Sequence, residues 1–419
     1  MRGGGGRRRT ARRAAVTVVA SATGILPLLH GAAELEPGSF GGWRVHRLPA
    51  WARAQHDSPL FRAAELAPMA VRLRLTTPAR RVRVRLVTSG IAGATGVPST
   101  PVRSSSGSGE HEHAVPLGVA VSAEAPADIR GGVATIEIEH DGSDTPVELH
   151  LPHGVGVELV SVSADGPLTA APDHRPLWVH YGSSISHGAY LASDADAWPI
   201  RAARALDWQL HSLAFAGNAQ LDGFVARHLR TLPADLVTLK VGINLVNADS
   251  MRERAVRPAL HSFLDTVREA MPTTPVLMIT AVSCPIHEET PGPVVPRAGG
   301  FGAAERRVED DAGALTLRRT REIVEDVVAG RRRTDPALDV IDRRRLLGED
   351  DVATLYDRLH PDRAGSRLMA DRAVPLLRAA RQRLAVPSPT VDGTGRDGAG
   401  AAGDGGDGDG DDGGDGASR

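Results

Sequence analysis

Four short stretches of this 419-residue chain carry side chains able to act on a carbonyl group. The first, Tyr181-Gly182-Ser183-Ser184-Ile185-Ser186-His187-Gly188, follows the apolar run Leu177-Trp178-Val179-His180. Its serines therefore fall at a strand-to-turn junction, where a hydroxyl projects from the C-terminal edge of a sheet, and open α/β sheets place their ligands there. Further along come Gly217-Asn218, Gly242-Ile243-Asn244 and Asp357-Arg358-Leu359-His360-Pro361. Together these supply the parts of an acyl-transfer site. A serine hydroxyl such as that of Ser184 attacks an ester carbonyl once a base takes its proton. His360 is a suitable base, and Asp357 three residues earlier would hold the imidazole in the right tautomer. The tetrahedral intermediate needs preorganised donors for its oxyanion. Candidates are the backbone N–H of Ser184, the N–H of Gly217 and the side-chain amide of Asn244. Glycine at 217 and 242 lets the backbone turn sharply with no Cβ against the substrate.

Each stretch alone has an ordinary explanation. Gly-Asn pairs fill turns, and an Asp before a helix caps it. What sets the four apart is that all occur in one chain, each beyond an apolar strand. Chemistry alone leaves Ser183 and Ser186 in competition with Ser184, and Asp351 and Asp362 in competition with Asp357. His187 is expected to be a pocket wall or a surface residue, and Cys284 a small buried one.

The elements that must position these groups fall into two patterns. Residues 25–171 alternate with period two: Val82, Val84 and Leu86 with Arg83 and Arg85, then Ile136 and Ile138 with Glu137 and Glu139. Strands with one dry and one wet face build an antiparallel β-sandwich. The wet rows are Arg in the early strands and Glu in the later ones, so neighbours would be joined by cross-strand ion pairs. The stretch 103–109, rich in Ser and Gly, reads as a flexible surface connection. No chemical motif falls in this domain, which reads as a packing or substrate-shaping module.

Residues 172–386 alternate strands with helices. Five apolar strands are expected at 177–180, 210–216, 236–241, 276–281 and 338–341, which argues for a parallel sheet covered on both faces. One helix is expected to start at Ser250, with Glu253 completing a capping box. Another carries Ile323, Val324, Val327 and Val328 on one face, and a last one follows Pro361. The segment 285–310 is rich in Pro, Gly and charge. It is expected to wall the acyl or alcohol pocket, so that deleting it would change substrate preference more than folding.

Bulk properties exclude several classes. Net charge is −2 and aromatics make up 3%, which leaves neither a basic field nor stacking surface for nucleic acid. A single cysteine rules out an intrachain disulfide and a Cys-rich zinc knuckle. Residues 1–24 begin with an Arg cluster before an apolar stretch and read as a disordered basic extension, the alternative being a secretory signal. The stretch is too short and interrupted for stable membrane insertion, and the expected location is cytoplasmic, or outside the cell if the segment is a signal. Residues 387–419 are dominated by Gly and Asp and are expected to be disordered.

With these motifs in view, the chain resembles the SGNH hydrolases, also called GDSL esterases/lipases. The matching residues are Ser184, Gly217, Asn244, and Asp357 with His360, and the resemblance spans the second domain. It selects Ser184 and Asp357 from the alternatives above. It implies a flavodoxin-like three-layer α/β/α fold with a five-stranded parallel sheet, in agreement with the strand count. Ser183 stands where the name-giving motif has Asp, and Leu245 follows Asn244 where many members have Asp. Neither position carries out the chemistry. An α/β-hydrolase is disfavoured, since Ser186 replaces the last glycine of the Gly-x-Ser-x-Gly elbow. The preceding sandwich is similar to that of bacterial members acting on sugar esters or polyketide products, some of which transfer acyl groups. The expected activity is hydrolysis of a small-molecule carboxylic ester through an acyl-enzyme, with no metal or organic cofactor. An acyltransferase using the same intermediate is the alternative within enzymes, and a non-catalytic carbohydrate-binding protein the alternative outside them.

Overall fold

Alternating Val, Ile and Leu side chains build two face-to-face antiparallel sheets at the front of the chain. One has the strands Glu34–Pro37, Trp43–His46, Gly156–Ala164, Arg81–Ser89 and Gly132–Glu139 in that spatial order. The other has Thr169–Ala170, Arg72–Thr76, Val147–His150, Ser99–Ser106 and Gly109–Pro116. The dry faces meet in a core that includes Val82, Val84, Leu86, Ile136, Ile138, Leu149 and Val162. The wet rows pair as their signs require: Arg83 lies opposite Glu137 with 2.7 Å between Nε and Oε1, and Arg74 pairs with Glu148 across another strand pair. This computed structural model describes residues 16–89, 99–116, 132–188, 190–306, 309 and 311–385. The expected disorder of 1–15 and of 387–419 lies outside the described residues.

Two expectations for this half are corrected. Ordered structure begins before Ile25, because Thr17–Val19 pairs antiparallel with residues 162–164 and Ser21 caps a helical turn over Ala22–Ile25. The apolar stretch is used as an edge strand and as core. Residues 103–109 are not a loose connection either: Ser99–Ser106 and Gly109–Pro116 form a hairpin that turns at Gly107-Ser108. Alternation of small polar residues such as Ser104 and Ser106 with exposed ones is a strand pattern that composition alone hides.

Apolar strands then form one parallel sheet. Its members are β1 (Leu177–Gly182), β2 (Gln209–Ala214), β3 (Leu236–Lys240), β4 (Val276–Ile279) and β5 (Leu338–Ile341). Spatial order is β2-β1-β3-β4-β5, so connections reverse direction between β1 and β3, the place beyond whose strand ends open α/β sheets bind ligands. Val179, Val237 and Met278 face the layer of helices Gly223–Leu229, Glu253–Arg268 and Leu317–Arg331. Trp178, Leu236 and Leu277 face the other layer, made by Trp198–Leu206 and Arg363–Leu384. The expected capping box is absent. The helix begins at Glu253 without a side-chain cap, and the Ser250 hydroxyl donates to Gln220 Oε1 instead. Among the described residues no helix is long and apolar enough to cross a membrane.

Several histidines of this half are held toward the neutral form, three of them on β1, β2 and the helix Gly223–Leu229. His180 sits fully buried on β1 with Nδ1 2.6 Å from the Thr238 hydroxyl, and burial, then Lys240, pushes its pKa down to about 3. Burial and then His228 lower His211 to about 3, while burial lowers His228 to about 4. In the unfolded chain each would titrate near 6.5. As pH falls below 6.5 the unfolded chain takes up protons that the folded chain refuses, so stability drops by on the order of 1 kcal/mol per pH unit per histidine. Carboxylates with lowered pKa lose stability only at still lower pH, while Asp222, which burial raises to about 6, takes up a proton inside the fold in this window and offsets part of the loss. Urea unfolding at pH 7 and pH 5 is therefore expected to show a lower midpoint at pH 5. An unchanged midpoint would mean that these rings are protonated inside the fold.

Candidate active site

The nucleophile turn grows out of the end of β1. Gly182 is the last strand residue, and a Cβ there would lie 2.6 Å from Ser186 Oγ and 2.9 Å from His180 Nε2. Only glycine lets the chain fold back so closely. Ser183 stays extended, Ser184–His187 makes one helical turn, and Gly188 closes it at φ 68°. Of the three candidate serines, Ser183 and Ser186 are fully buried, whereas the Ser184 hydroxyl reaches 2.9 Å from His360 Nε2. His153 of the sandwich holds the far end of the turn, its Nε2 lying 3.0 Å from the Gly188 carbonyl.

Asp357 and His360 come from the segment between β5 and the last helix. Asp357 Oδ2 lies 2.7 Å from His360 Nδ1, so it accepts the Nδ1 proton and leaves Nε2 as the acceptor facing Ser184. Its other oxygen accepts from the N–H groups of His360, at 2.6 Å, and Leu359, at 3.0 Å. Burial works to raise this carboxyl's pKa, but the His360 side chain and these N–H groups outweigh it and hold the pKa below the usual range. Asp351 and Asp362 have other work: the first pairs with Arg372, the second caps the last helix by accepting from Gly365 N–H.

The link between acid and base is tight, with Arg358 at φ 72°. It is braced from within the segment expected to wall the pocket. Val294–Arg297 and Gly300–Ala303 form a hairpin whose Phe301 N–H donates to the Asp357 carbonyl at 3.0 Å. At Gly300, with φ 139°, a Cβ would stand 2.1 Å from that carbonyl oxygen. Deleting the hairpin would thus also strip support from the acid itself. Cys284 is buried as expected, 3.6 Å from the Arg358 carbonyl, and burial, then Glu288, pushes its thiol up to about 12. A thiol held neutral in this way has no nucleophilic part.

The three residues expected to supply oxyanion donors follow three neighbouring strands. Ser184 is the first residue of its turn, so its N–H has no partner within the helix. Gly217, at φ 74°, follows β2, and its N–H makes no hydrogen bond among the described residues. Asn244 follows β3 by way of Gly242 at φ 120°, and its Oδ1 accepts from Ala219 N–H at 3.0 Å. That bond fixes the amide, and Nδ2 makes no hydrogen bond among the described residues.

Several participants carry no sequence signal. His187 is neither surface nor pocket wall: it is buried, held neutral by burial and then by Arg47, and its Nδ1 accepts from Ala216 N–H at 3.3 Å. Asn218 returns its side-chain N–H to the Ala216 carbonyl at 2.6 Å. Three aromatic rings surround His360: Tyr190 at 4.7 Å between centroids, Phe301 at 5.9 Å and Tyr356 at 6.4 Å. Of these, Tyr356 is exposed. Leu60, on the sandwich helix Pro59–Leu66, is exposed too and lies directly against Gly217. Among the described residues no three His, Cys, Asp or Glu side chains group as metal ligands.

A parallel sheet between two helical layers, with a hydrogen-bonded Ser-His-Asp chain at its C-terminal edge, defines a domain of the three-layer α/β/α class. Residues 180–368 match the GDSL-like Lipase/Acylhydrolase family, a likeness that supports an acylhydrolase or acyltransferase. Solved structures share the fold across both halves. The salicylyl-acyltransferase SsfX3 from a tetracycline biosynthetic pathway superposes with a TM-score of 0.70 at 24% identity, over 87% of this chain and 97% of that one. A protein described as a GDSL-like lipase from Bacteroides ovatus gives 0.57 at 18% identity, over 88% and 98%. A family two carbohydrate esterase from Cellvibrio japonicus gives 0.52 at 12% identity, over 88% and 99%. At such identities the likeness is one of fold. No curated protein sequence matches the chain.

Proposed function

We propose that the protein cleaves carboxylic esters of a sugar or small natural product through an acyl-enzyme on Ser184. The observation that carries this reading is the continuous chain from Ser184 Oγ through the His360 imidazole to Asp357, at 2.9 Å and 2.7 Å. His360 Nε2 takes the hydroxyl proton as Oγ attacks the carbonyl carbon. The oxyanion is met by the N–H groups of Ser184 and Gly217 and by Asn244 Nδ2. Collapse breaks the C–O bond to the alcohol, which receives the proton from His360. Water activated by the same imidazole then attacks the acyl carbon and frees Ser184.

A second reading is transfer to a bound alcohol in place of water, and the likeness in fold to an acyltransferase over nearly the whole chain favours keeping it in view. The two differ in which nucleophile resolves the acyl-enzyme. The test is intact mass after a fluorophosphonate probe, then turnover of short-chain aryl esters with and without an added alcohol. One adduct and ester turnover are expected. Acid product under both conditions marks a hydrolase, whereas new ester formed in excess over acid marks a transferase. No adduct on folded protein would overturn both and leave the binding-protein alternative.

A further inference from the structure

The sandwich reaches the oxyanion side of the site through one buried arginine. Arg47 follows the strand Trp43–His46 and has no exposed surface. Its Nη1 donates to two carbonyls of β2, Ser212 at 3.0 Å and Ala214 at 2.8 Å, and Nη2 donates to the Ala64 carbonyl. The guanidinium also lies 4.6 Å from the centre of the Phe215 ring. Main-chain carbonyls and a ring face therefore surround this charge, and burial lowers its pKa to about 10, well above neutral. Glu65 meets the guanidinium through its carbonyl, which accepts from Arg47 Nε at 3.4 Å, and its carboxylate forms no ion pair with it. It accepts instead from the backbone N–H groups of Arg47, at 2.8 Å, and Leu48, at 3.0 Å, and so fixes the main chain that carries Arg47.

Such a burial is costly for packing alone, since an apolar side chain would fill the space without desolvating a cation. What it achieves is specific to place. β2 is the edge strand of the parallel sheet, and carbonyls two residues apart on one strand point to the same side, here the unpaired edge. Arg47 ties both of them down in the last residues before Phe215-Ala216-Gly217. Beyond that clamp, Phe215 N–H donates to the Gly182 carbonyl at 2.9 Å and Ala216 N–H to His187 at 3.3 Å. Gly217 is thus suspended between a clamped strand end and the nucleophile turn.

We propose that Arg47 is a positioning residue that sets the Gly217 N–H for the oxyanion, which makes the sandwich an integral part of the catalytic machinery. The inference rests on the acyl-enzyme reading above. A misplacement of about 1 Å at a reacting group costs on the order of 10²-fold in rate. The test compares Arg47→Met and Arg47→Lys with the wild type and with Arg53→Met, which removes a surface pair with Glu34 and Glu36. Arg47→Met is expected to lower kcat ~10- to 100-fold with KM within about twofold, and to weaken a boronic acid inhibitor, which mimics the tetrahedral state, by a similar factor. Arg47→Lys, which can hold one carbonyl but not bridge both, is expected to fall between, and it decides the matter if the Met variant does not fold. A folded Arg47 variant with wild-type kcat and boronate affinity would overturn the proposal. An inactive wild type would instead overturn the acyl-enzyme reading, so the two failures are distinct.

Discussion

Replacing Ser184 by alanine is expected to lower kcat by at least about 10⁴-fold and to abolish fluorophosphonate labelling. The substitution removes Oγ and nothing else of consequence. Ser184 is the first residue of its turn and its side chain supports no backbone group, its hydroxyl bond being the one to His360. Substrate affinity and thermal stability should therefore stay close to wild type. His360→Ala should cost about as much, and the double variant little more, because Oγ and the imidazole act as a unit and either loss disables it. Residual turnover would come from the oxyanion donors acting on water. Ser183→Ala and Ser186→Ala provide the contrast. Both hydroxyls are buried away from the imidazole, so labelling should persist in each. Labelling that survives Ser184→Ala and vanishes with either of the others would mean that a different serine carries the chemistry.

Why was Ser184 legible only in part? Residue types and order in the chain pointed to the turn, since a serine after an apolar run and before a glycine is a local signal. Choosing among three serines is a matter of rotation about one helical turn, and composition is blind to that. The wet Arg and Glu rows of the sandwich were readable because strand period and sign are local, and the observed register of Arg83 opposite Glu137 follows from them. Ser250 and Glu253 matched a capping box by spacing, yet the serine found a better partner in Gln220, thirty residues away. His187 looked like a surface residue because its buried acceptor role depends on Ala216, on another strand end. Arg47 lies 167 positions from Ala214, and no periodicity links them. The parts that stayed hidden are those whose partners come from other elements, and the oxyanion side is built almost wholly from such parts.

Asn244 allows that side to be tested with structure and chemistry kept apart. Its Oδ1 accepts from the buried Ala219 N–H, and in the mechanism proposed above its Nδ2 is the donor offered to the oxyanion. Asn244→Ala removes both functions: it should lower kcat about 10²- to 10³-fold and cost roughly 1–3 kcal/mol of stability by leaving the Ala219 N–H without a partner. Asn244→Asp keeps an oxygen for Ala219 and nearly the same shape, but it puts a carboxylate where the developing oxyanion must form. Because the side chain is only 2% exposed, desolvating the new carboxylate costs stability even with the Ala219 bond kept, while kcat falls at least as far as in the alanine variant. KM should change little in either, because the amide is asked to bind charge that exists only after attack. Steady-state kinetics with urea unfolding on both variants separates the two functions. If Asn244→Asp folds normally and keeps kcat within tenfold of wild type, Asn244 serves Ala219 alone, and the oxyanion must be held by the Ser184 and Gly217 N–H groups.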